Sequence, residues 1–147
     1  MRPDLASALL GGACVAVQMA MNGQTRVALG SPLWAAMANN ALGLAGLALA
    51  LLVTGTRWPA AAELRAVPLP CWSAGLLGAA FITMSALVGP RLGLATTFVL
   101  VLAGQLGAAV LIDHQGWLAA APRPLSTVRL LGLGLVFLGA LLVVRSR

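Results

Sequence analysis

The sequence contains very few charged residues. Asp, Glu, Lys and Arg together make up 8% of its 147 residues, whereas soluble domains carry about 25%. The hydrophobic set AVILMFWYC reaches 61%. A folded domain of this size cannot hide that much apolar side-chain surface from water. The composition therefore excludes a soluble enzyme, a disordered chain and a disulfide-stapled secreted module, and it predicts an integral membrane protein.

Residue types that build catalytic and metal sites are also scarce. The chain has one histidine and three acidic residues, and none of them lies in the middle of a long apolar run. The two cysteines, Cys14 and Cys71, lack ligand spacing and are interpreted as small core residues rather than a bridge or a metal pair. We expect no catalytic residue, no metal and no cofactor, and the chain is not predicted to be an enzyme.

All nine basic residues are arginines, and the net charge is +6. The arginines are spread singly between apolar runs, without the basic stripe that tracks a phosphate backbone. No nucleic-acid partner is therefore expected. The arginines are interpreted as membrane-edge anchors and topology signals.

The charge-free apolar runs predict an all-α integral membrane bundle of five transmembrane helices in a single domain, residues 1–147. A helix needs about 20 residues to cross about 30 Å of hydrocarbon. The fifth run is the weakest, because only 15 residues separate Arg129 from Arg145, and we expect Arg129 to snorkel back to the headgroups. The predicted spans are residues 5–25, 33–53, 71–89, 92–112 and 126–144.

The connections between these spans alternate in length. Residues 30–32 and 89–93 contain Gly and Pro and predict tight turns, which would make spans 1–2 and 3–4 antiparallel hairpins. The other two connections, residues 54–70 and 113–125, are longer. Trp58, Trp72 and Trp117 lie at the same membrane face as these two connections. This placement is typical of an interfacial aromatic belt.

The arginines divide almost evenly between the two membrane faces. A difference of one residue is too small to fix orientation by the positive-inside bias. Either one dominant loop settles the orientation, or the chain inserts both ways and pairs head to tail as an inverted repeat with a site near the midplane. The face of the N-terminus holds Arg2, Arg57, Arg65, Arg123 and Arg129, and the opposite face holds Arg26, Arg91, Arg145 and Arg147.

Polar and small residues form one stripe along the first span. Their spacing of three and four residues places them on one helix face. Amides in hydrocarbon either join helices by hydrogen bonds or line a polar cavity, and the spacing alone leaves both interpretations open. The stripe consists of Ser7, Gly11, Cys14, Gln18, Asn22 and Thr25.

The other spans add further candidates. Asn39 and Asn40 are adjacent and about 100° apart on their helix, so at most one of them points fully inward. The candidate substrate-binding residues are Gln18, Asn22, Asn39, Gln105 and Ser85. The candidate helix-packing residues are Gly11, Gly43, Gly78, Gly104, Gly132 and Gly139.

Several short motifs, in this order, resemble one family. It is the short, five-helix YdcZ-like branch of the drug/metabolite transporter superfamily. The motifs are Gln18-x-x-x-Asn22, Leu29-Gly30-Ser31-Pro32 followed by Ala35-Ala36, Pro90-Arg91-Leu92-Gly93-x-x-Thr96-Thr97, Gly104-Gln105-Leu106 and Asp113-His114-x-Gly116.

The resemblance implies a multi-pass protein of the bacterial inner membrane. Longer members of the superfamily have ten helices in two inverted halves, so a five-helix chain is expected to be one half and to work as an antiparallel pair. The related small multidrug resistance proteins use an acidic residue in the first helix. This chain has Gln18 and Asn22 there, which argues against exchange of a cation for protons.

The leading hypothesis is a secondary transporter or exporter of a small polar or amphipathic metabolite. Two copies would line a cavity with amides, and the partners would be the lipid bilayer, a second antiparallel copy or a paired homologue, and a small-molecule substrate. The alternative is a non-transporting membrane interaction subunit that requires a partner chain. In that case the amides would only join helices.

Overall fold

The computed structural model describes residues 3–119, 123 and 125–146, and these residues contain helices and no strand. Arg2 and Arg147, two members of the arginine tally, lie outside the described residues. A short 3₁₀ turn, Trp117–Ala119, follows the sixth α-helix. The α-helices are α1 (Pro3–Leu29), α2 (Pro32–Thr54), α3 (Ala61–Ala66), α4 (Leu69–Trp72), α5 (Ala74–Leu92), α6 (Leu94–Gln115) and α7 (Thr127–Arg145).

The prediction of five membrane-spanning helices is confirmed. The first predicted span stopped short at Asp4 and Arg26, but both charges lie inside α1, in its first and last turns. An acid at the N-terminus and a base at the C-terminus of a helix are favoured by the helix dipole. The segments long and apolar enough to cross a membrane are Pro3–Leu29, Pro32–Thr54, Leu69–Leu92, Leu94–Gln115 and Thr127–Arg145.

The predicted turn at residues 89–93 is wrong in detail. Helix α5 continues through Pro90 to Leu92, and the break falls at Gly93, which has φ 76° and ψ 150°. Proline deprives Ala86 of its helical hydrogen-bond donor, a loss that is easier to accommodate close to a helix end. The backbone of Gly93 is accessible only to glycine, so the single residue Gly93 ends one helix and begins the next.

The chain divides into two compact units, Met1–Arg91 and Leu92–Arg147. In the first unit α1 and α2 form the expected hairpin, and the buried residues cluster toward its turn. A Cβ on Gly23 would lie 3.4 Å from Cγ of Pro90, so α1 also meets α5 there. The buried set is Met19, Asn22, Gly23, Ala35, Ala36, Ile82, Ser85, Ala86 and Gly89.

A long continuous stretch of the first unit is exposed. Every residue from Asn40 to Gly78 is exposed in the single chain, including Leu42, Leu47 and Leu76. Leucine-rich helix surfaces of this kind are stable only in contact with lipid or other protein. We therefore expect acyl chains or a second chain to cover this surface.

The predicted packing glycines do not make close helix contacts within the chain. A Cβ at any of Gly11, Gly43, Gly78, Gly104, Gly132 or Gly139 would meet nothing within 4 Å. Two other glycines do face a neighbouring helix: Gly23 lies against Pro90, and a Cβ on Gly107 would lie 3.9 Å from the Phe137 ring. The spacing of the glycines does not indicate which helix faces pack together within this chain. Packing of the six predicted glycines against a second chain stays a prediction.

In the second unit α6 packs against α7, and an ion pair joins their adjacent ends. Arg129, in the first turn of α7, pairs with the Asp113 carboxylate in the last turn of α6. The backbone N–H of Arg123 donates to the carbonyl oxygen of Asp113 at 2.8 Å. The guanidinium of Arg129 is thus paired with a carboxylate at the end of the span, and its expected reach toward the headgroups stays a prediction.

The connection between α2 and α5 contains the short helix α3 and an exposed ion pair, and it leads into α4, the first turn of the span Leu69–Leu92. The guanidinium of Arg57 donates to both carboxylate oxygens of Glu63, at 2.6 and 3.2 Å, and Glu63 Oε2 accepts from the N–H of Ala60 at 2.8 Å. The bond from Arg57, followed by the backbone bond, lowers the pKa of Glu63 from its ordinary value. Glu63 thereby caps α3 and fixes the path of the chain just after α2.

Replacing Arg57 by Gln is expected to raise the pKa of Glu63 toward its ordinary value, because the guanidinium stabilises the charged carboxylate. We call the Arg57–Glu63 ion pair the clasp. Because the pKa of Glu63 is lower in the folded than in the unfolded chain, the clasp stabilises the fold at a pH above the unfolded-state pKa. This stabilisation is lost as the pH falls through the folded-state pKa. Glu63 is the chain's sole glutamate, so ¹³C-glutamate labelling gives a single carboxyl resonance to titrate. Arg65→Gln, which removes a nearby arginine outside the clasp, is the matched control, and an equal shift in both variants contradicts the assignment.

Candidate functional site

Three amide side chains form a hydrogen-bonded chain between α1 and α2. The Nε2 group of Gln18 donates to Asn39 Oδ1 at 3.4 Å, and Asn39 Nδ2 donates to Asn22 Oδ1 at 3.1 Å. Asn39 is therefore the centre of the chain and the sole α2 member. We call Gln18, Asn39 and Asn22 the amide chain.

Helical periodicity brings these three residues together. Gln18 and Asn22 are four residues apart, so they lie one above the other on the same face of α1. The tight turn after Leu29 folds α2 back along that face, and Asn39 then reaches both amides. Asn40, the next residue, is exposed, as expected for a position about 100° around the helix.

The amide chain lies inside the predicted hydrocarbon layer. With α1 spanning Pro3–Leu29, Gln18 is about 3 Å and Asn22 about 9 Å from the helix midpoint along the axis. Asn39 is about 6 Å from the midpoint of α2. Asn22 is 4% exposed. Where hydrocarbon surrounds the helices at this depth, the amides take their partners from protein or from a bound molecule.

The amides retain hydrogen-bonding capacity that the described residues do not use. Each primary amide offers two N–H donors and a carbonyl acceptor. Among the described residues, Gln18 Oε1 accepts no hydrogen bond and the Nδ2 group of Asn22 donates none. The amide chain thus presents an acceptor at one end and donors at the other.

The α1 stripe is covered along only half of its length. Gln18, Asn22 and Thr25 are at least partly covered, whereas Ser7, Gly11 and Cys14 are exposed. The Oγ of Ser7 donates to the carbonyl oxygen of Pro3 at 3.0 Å, which satisfies that hydroxyl within its own helix. The predicted stripe therefore runs from a packed, hydrogen-bonded segment into a surface open in the single chain.

The other two candidates lie outside this network. Ser85 is buried, and its hydroxyl donates to the carbonyl oxygen of Ile82 at 2.9 Å. Gln105 is exposed on α6. Within the described part of the chain, no hydrogen bond connects either residue to the amide chain. A role for Ser85 and Gln105 in substrate binding stays a prediction.

The sequence pattern indicated which residues belong to the site but not which amide bonds to which. It named Asn39 but did not identify it as the residue that joins Gln18 to Asn22. It also gave no role to Thr96 and Thr97, which are 7% and 3% exposed. The hydroxyl of Thr97 donates to the carbonyl oxygen of Gly93 at 2.9 Å. The signal was their position directly after a helix break; there the Thr97 hydroxyl shares the Gly93 carbonyl oxygen with the Thr97 backbone N–H, which donates to it at 3.0 Å.

The chemistry available at the amide chain is neutral hydrogen bonding. Among the described residues no group of three His, Cys, Asp or Glu side chains is placed to hold a metal ion. Amides do not titrate between pH 5 and 9, so the network keeps one charge state across that range. The arrangement suits recognition of hydroxyl, amide or carbonyl groups.

Replacing Asn39 by Ala is expected to lower the free energy of unfolding by about 1–2 kcal/mol, because both interhelical bonds are lost at once. Asn40→Ala is the matched control: it removes the same side chain from an exposed neighbouring position and is expected to change stability by less than about 0.5 kcal/mol. Thermal denaturation in detergent measures both. Equal losses in the two variants would show that the network does not hold α1 to α2.

Comparison with known proteins identifies the family. A family model described as "Putative inner membrane exporter, YdcZ" matches residues 5–142. No curated protein and no solved structure matches the chain. The family match runs from the start of α1 almost to the end of α7 and includes every residue of the amide chain. The chain therefore belongs to the DMT_YdcZ family and, in line with that family's description, is a multi-pass membrane protein of the transport class.

Proposed function

We propose that the protein is a secondary transporter or exporter of a small, neutral or zwitterionic polar metabolite in the bacterial inner membrane. The observation that carries this proposal is the amide chain, whose outer donors and acceptor have no partner among the described residues. Leaving such groups unpaired in hydrocarbon costs about 1–3 kcal/mol each. A polar solute that passes through the membrane at this position offers the missing partners.

The chemistry of the substrate follows from the absence of charge in the network. Gln18, Asn39 and Asn22 supply donors and acceptors but no compensating charge for a bare ion. A cation or anion would lose its hydration without gaining a counter-charge, which is costly in a low-dielectric layer. Hydroxyl and amide groups lose less hydration free energy than an ion does, and a zwitterion brings its own counter-charge, so these groups can pair with the neutral amides.

We further propose that the functional unit is a pair of antiparallel copies. The near-even division of arginines allows insertion in both orientations. Two inverted five-helix chains would together reproduce an inverted-repeat transporter with a site near the midplane. The exposed half of the α1 stripe and the exposed surface from Ala41 to Gly78 provide area for a second chain.

A second function is favoured by the same hydrogen bonds. Because both bonds of the amide chain run between α1 and α2, the network also fits a non-transporting interaction subunit in which the amides only hold the hairpin together. The two functions differ in whether the amide chain responds to a ligand. A binding experiment therefore separates them.

Replacing Asn22 by Ala is expected to abolish stabilisation by substrate and transport, because it removes the free donors of the amide chain. Purified protein is screened by thermal shift against neutral, zwitterionic, cationic and anionic metabolites. A ligand at 100 times its Kd stabilises the folded state by about 2.7 kcal/mol. Counterflow of the labelled hit in proteoliposomes then measures transport.

Each ligand-induced shift is measured from the Tm of the same variant without ligand. A loss of helix contact lowers the unliganded Tm, whereas a loss of binding lowers the shift. Asn40→Ala is expected to retain both the shift and the counterflow. If Asn22→Ala keeps full transport, Asn22 is not in the site. If no metabolite class shifts the wild-type Tm while Asn39→Ala destabilises the protein, the interaction-subunit function is supported instead.

Two lysines added to the C-terminus are expected to lock one orientation, because the arginine division leaves the chain near balance. The locked chain alone should lose transport and regain it on co-expression with a chain locked the other way. C-terminal reporter enzymes active on only one side of the membrane give the orientations, and two added glutamines are the control. A single orientation in the unmodified chain rules out the antiparallel pair of identical chains.

A further inference from the structure

The fifth span places a positive charge where a membrane helix tolerates it poorly. Only 15 residues separate Arg129 from Arg145, which gives about 22 Å of uncharged helix against about 30 Å of hydrocarbon. The whole of α7, Thr127–Arg145, has 19 residues and reaches about 28 Å. A full crossing therefore has to include the turn that carries Arg129.

Both members of the Asp113–Arg129 pair are also at the wrong helix end for the backbone dipole. Arg129 is in the first turn of α7, where the N-terminal partial charge is positive, and Asp113 is in the last turn of α6, where it is negative. Neither charge is favoured by its own helix. Each one is compensated by the other across the α6–α7 contact.

Hydrogen bonds next to the Asp113–Arg129 pair fix the connection between α6 and α7. The two side chains are 31% and 29% exposed, so they are largely withdrawn from water. Ser126 Oγ accepts from the Arg129 N–H at 3.2 Å, which fixes the start of α7. The N–H of Arg123 donates to the Asp113 carbonyl oxygen at 2.8 Å, which folds the connection back onto α6.

A second contact sets the register deeper in the helices. A Cβ on Gly107 would lie 3.9 Å from the Phe137 ring. Gly107 is six residues before Asp113, and Phe137 is eight residues after Arg129. In two antiparallel helices these offsets place the contact about 9–12 Å below the ion pair. The pair at the membrane edge and the ring contact inside thus hold α7 at two points.

From these observations we propose that Asp113 is the residue that allows the fifth span to enter the membrane. Its carboxylate neutralises Arg129 within the first turn of α7, so that all 19 residues cross and the helix docks on α6 in a single register. Asp113 is synthesised before Arg129 and is already placed at the end of α6 when α7 arrives. The inference concerns insertion alone and does not depend on the substrate or on the orientation of the whole chain.

The test asks whether the two ends of α7 lie on opposite sides of the membrane. Cysteines are placed at exposed positions before and after α7, Leu118→Cys and Ser146→Cys, in a full-length chain carrying Cys14→Ser and Cys71→Ser. Intact spheroplasts are treated with a membrane-impermeant maleimide polymer, which adds one mass shift per accessible cysteine. A chain with the fifth span inserted shows one shift in either orientation, whereas a chain without it shows two shifts or none. Labelling after solubilisation shows that both cysteines react.

Asp113→Asn is expected to reduce the ratio of single-shifted chains to all others about tenfold, because Arg129 is left uncompensated at the start of the span. Asp113→Asn combined with Arg129→Leu should restore the single shift, and so should the charge swap Asp113→Arg with Arg129→Asp. Glu63→Gln, which breaks the exposed ion pair in the α2–α5 connection, is the matched control and should leave the pattern unchanged.

The proposal is overturned if Asp113→Asn gives the same ratio of single-shifted chains to all others as the chain that keeps both Asp113 and Arg129. A defect that persists when Arg129→Leu is added also overturns it, because the fault then lies in Asp113 itself rather than in the uncompensated arginine. Because oppositely oriented chains give the same single shift, failure of the antiparallel pair leaves this result unaffected.

Discussion

The structure depends on the cost of leaving a polar group unpaired where water cannot reach it. A membrane-spanning helix satisfies its own backbone, but its polar side chains need partners from the protein or from a bound molecule. Hydroxyls of this chain bond to their own helices: Thr25 donates to the Met21 carbonyl oxygen at 3.0 Å and Thr83 to that of Ala79 at 2.8 Å. Amides are too large and have too many hydrogen-bonding groups to be satisfied in this way, so Gln18 and Asn22 turn to α2.

The small residues around the amide chain make that pairing feasible. Hydrogen bonds of about 3 Å between side chains as short as asparagine require two helix backbones to approach closely. Ala35 and Ala36, one turn before Asn39, are 0% and 4% exposed, and Gly23, next to Asn22, lies against the Pro90 ring. The packed end of the first unit therefore coincides with the segment where the amides need it, and the same helices are exposed where their sequence turns to leucine.

The sequence allowed the helices, the hairpin and the polar residues to be predicted, because each follows from local rules. Span length follows from hydrocarbon thickness, and the α1 stripe follows from helical period. Local rules did not identify Asn39 as the centre of the network, the close approach of Gly23 and Gly107 to neighbouring helices, or Asp113 as the partner of Arg129. Each of these depends on the rotation and register of one helix against another, which composition and spacing do not determine. Pro90 was misplaced for a related reason: a proline near a helix end does not by itself decide on which side of it the helix stops.

The placement of charge gives the two ends and the middle of the spans different chemistry. Among the described acidic residues, Glu63 is paired with Arg57 outside the spans and Asp113 with Arg129 at a span end, while Asp4 lies in the first turn of α1. Charged groups thus lie at helix ends or outside the spans, and hydrogen-bonding amides occupy the interior. A proposed site built from amides discriminates by pairing rather than by charge: an analogue that lacks one hydroxyl or N–H leaves a protein amide unpaired in a dry layer. Such mismatches penalise the wrong solute far more than a missing methylene does in an apolar pocket, so a neutral site of this kind need not be unselective.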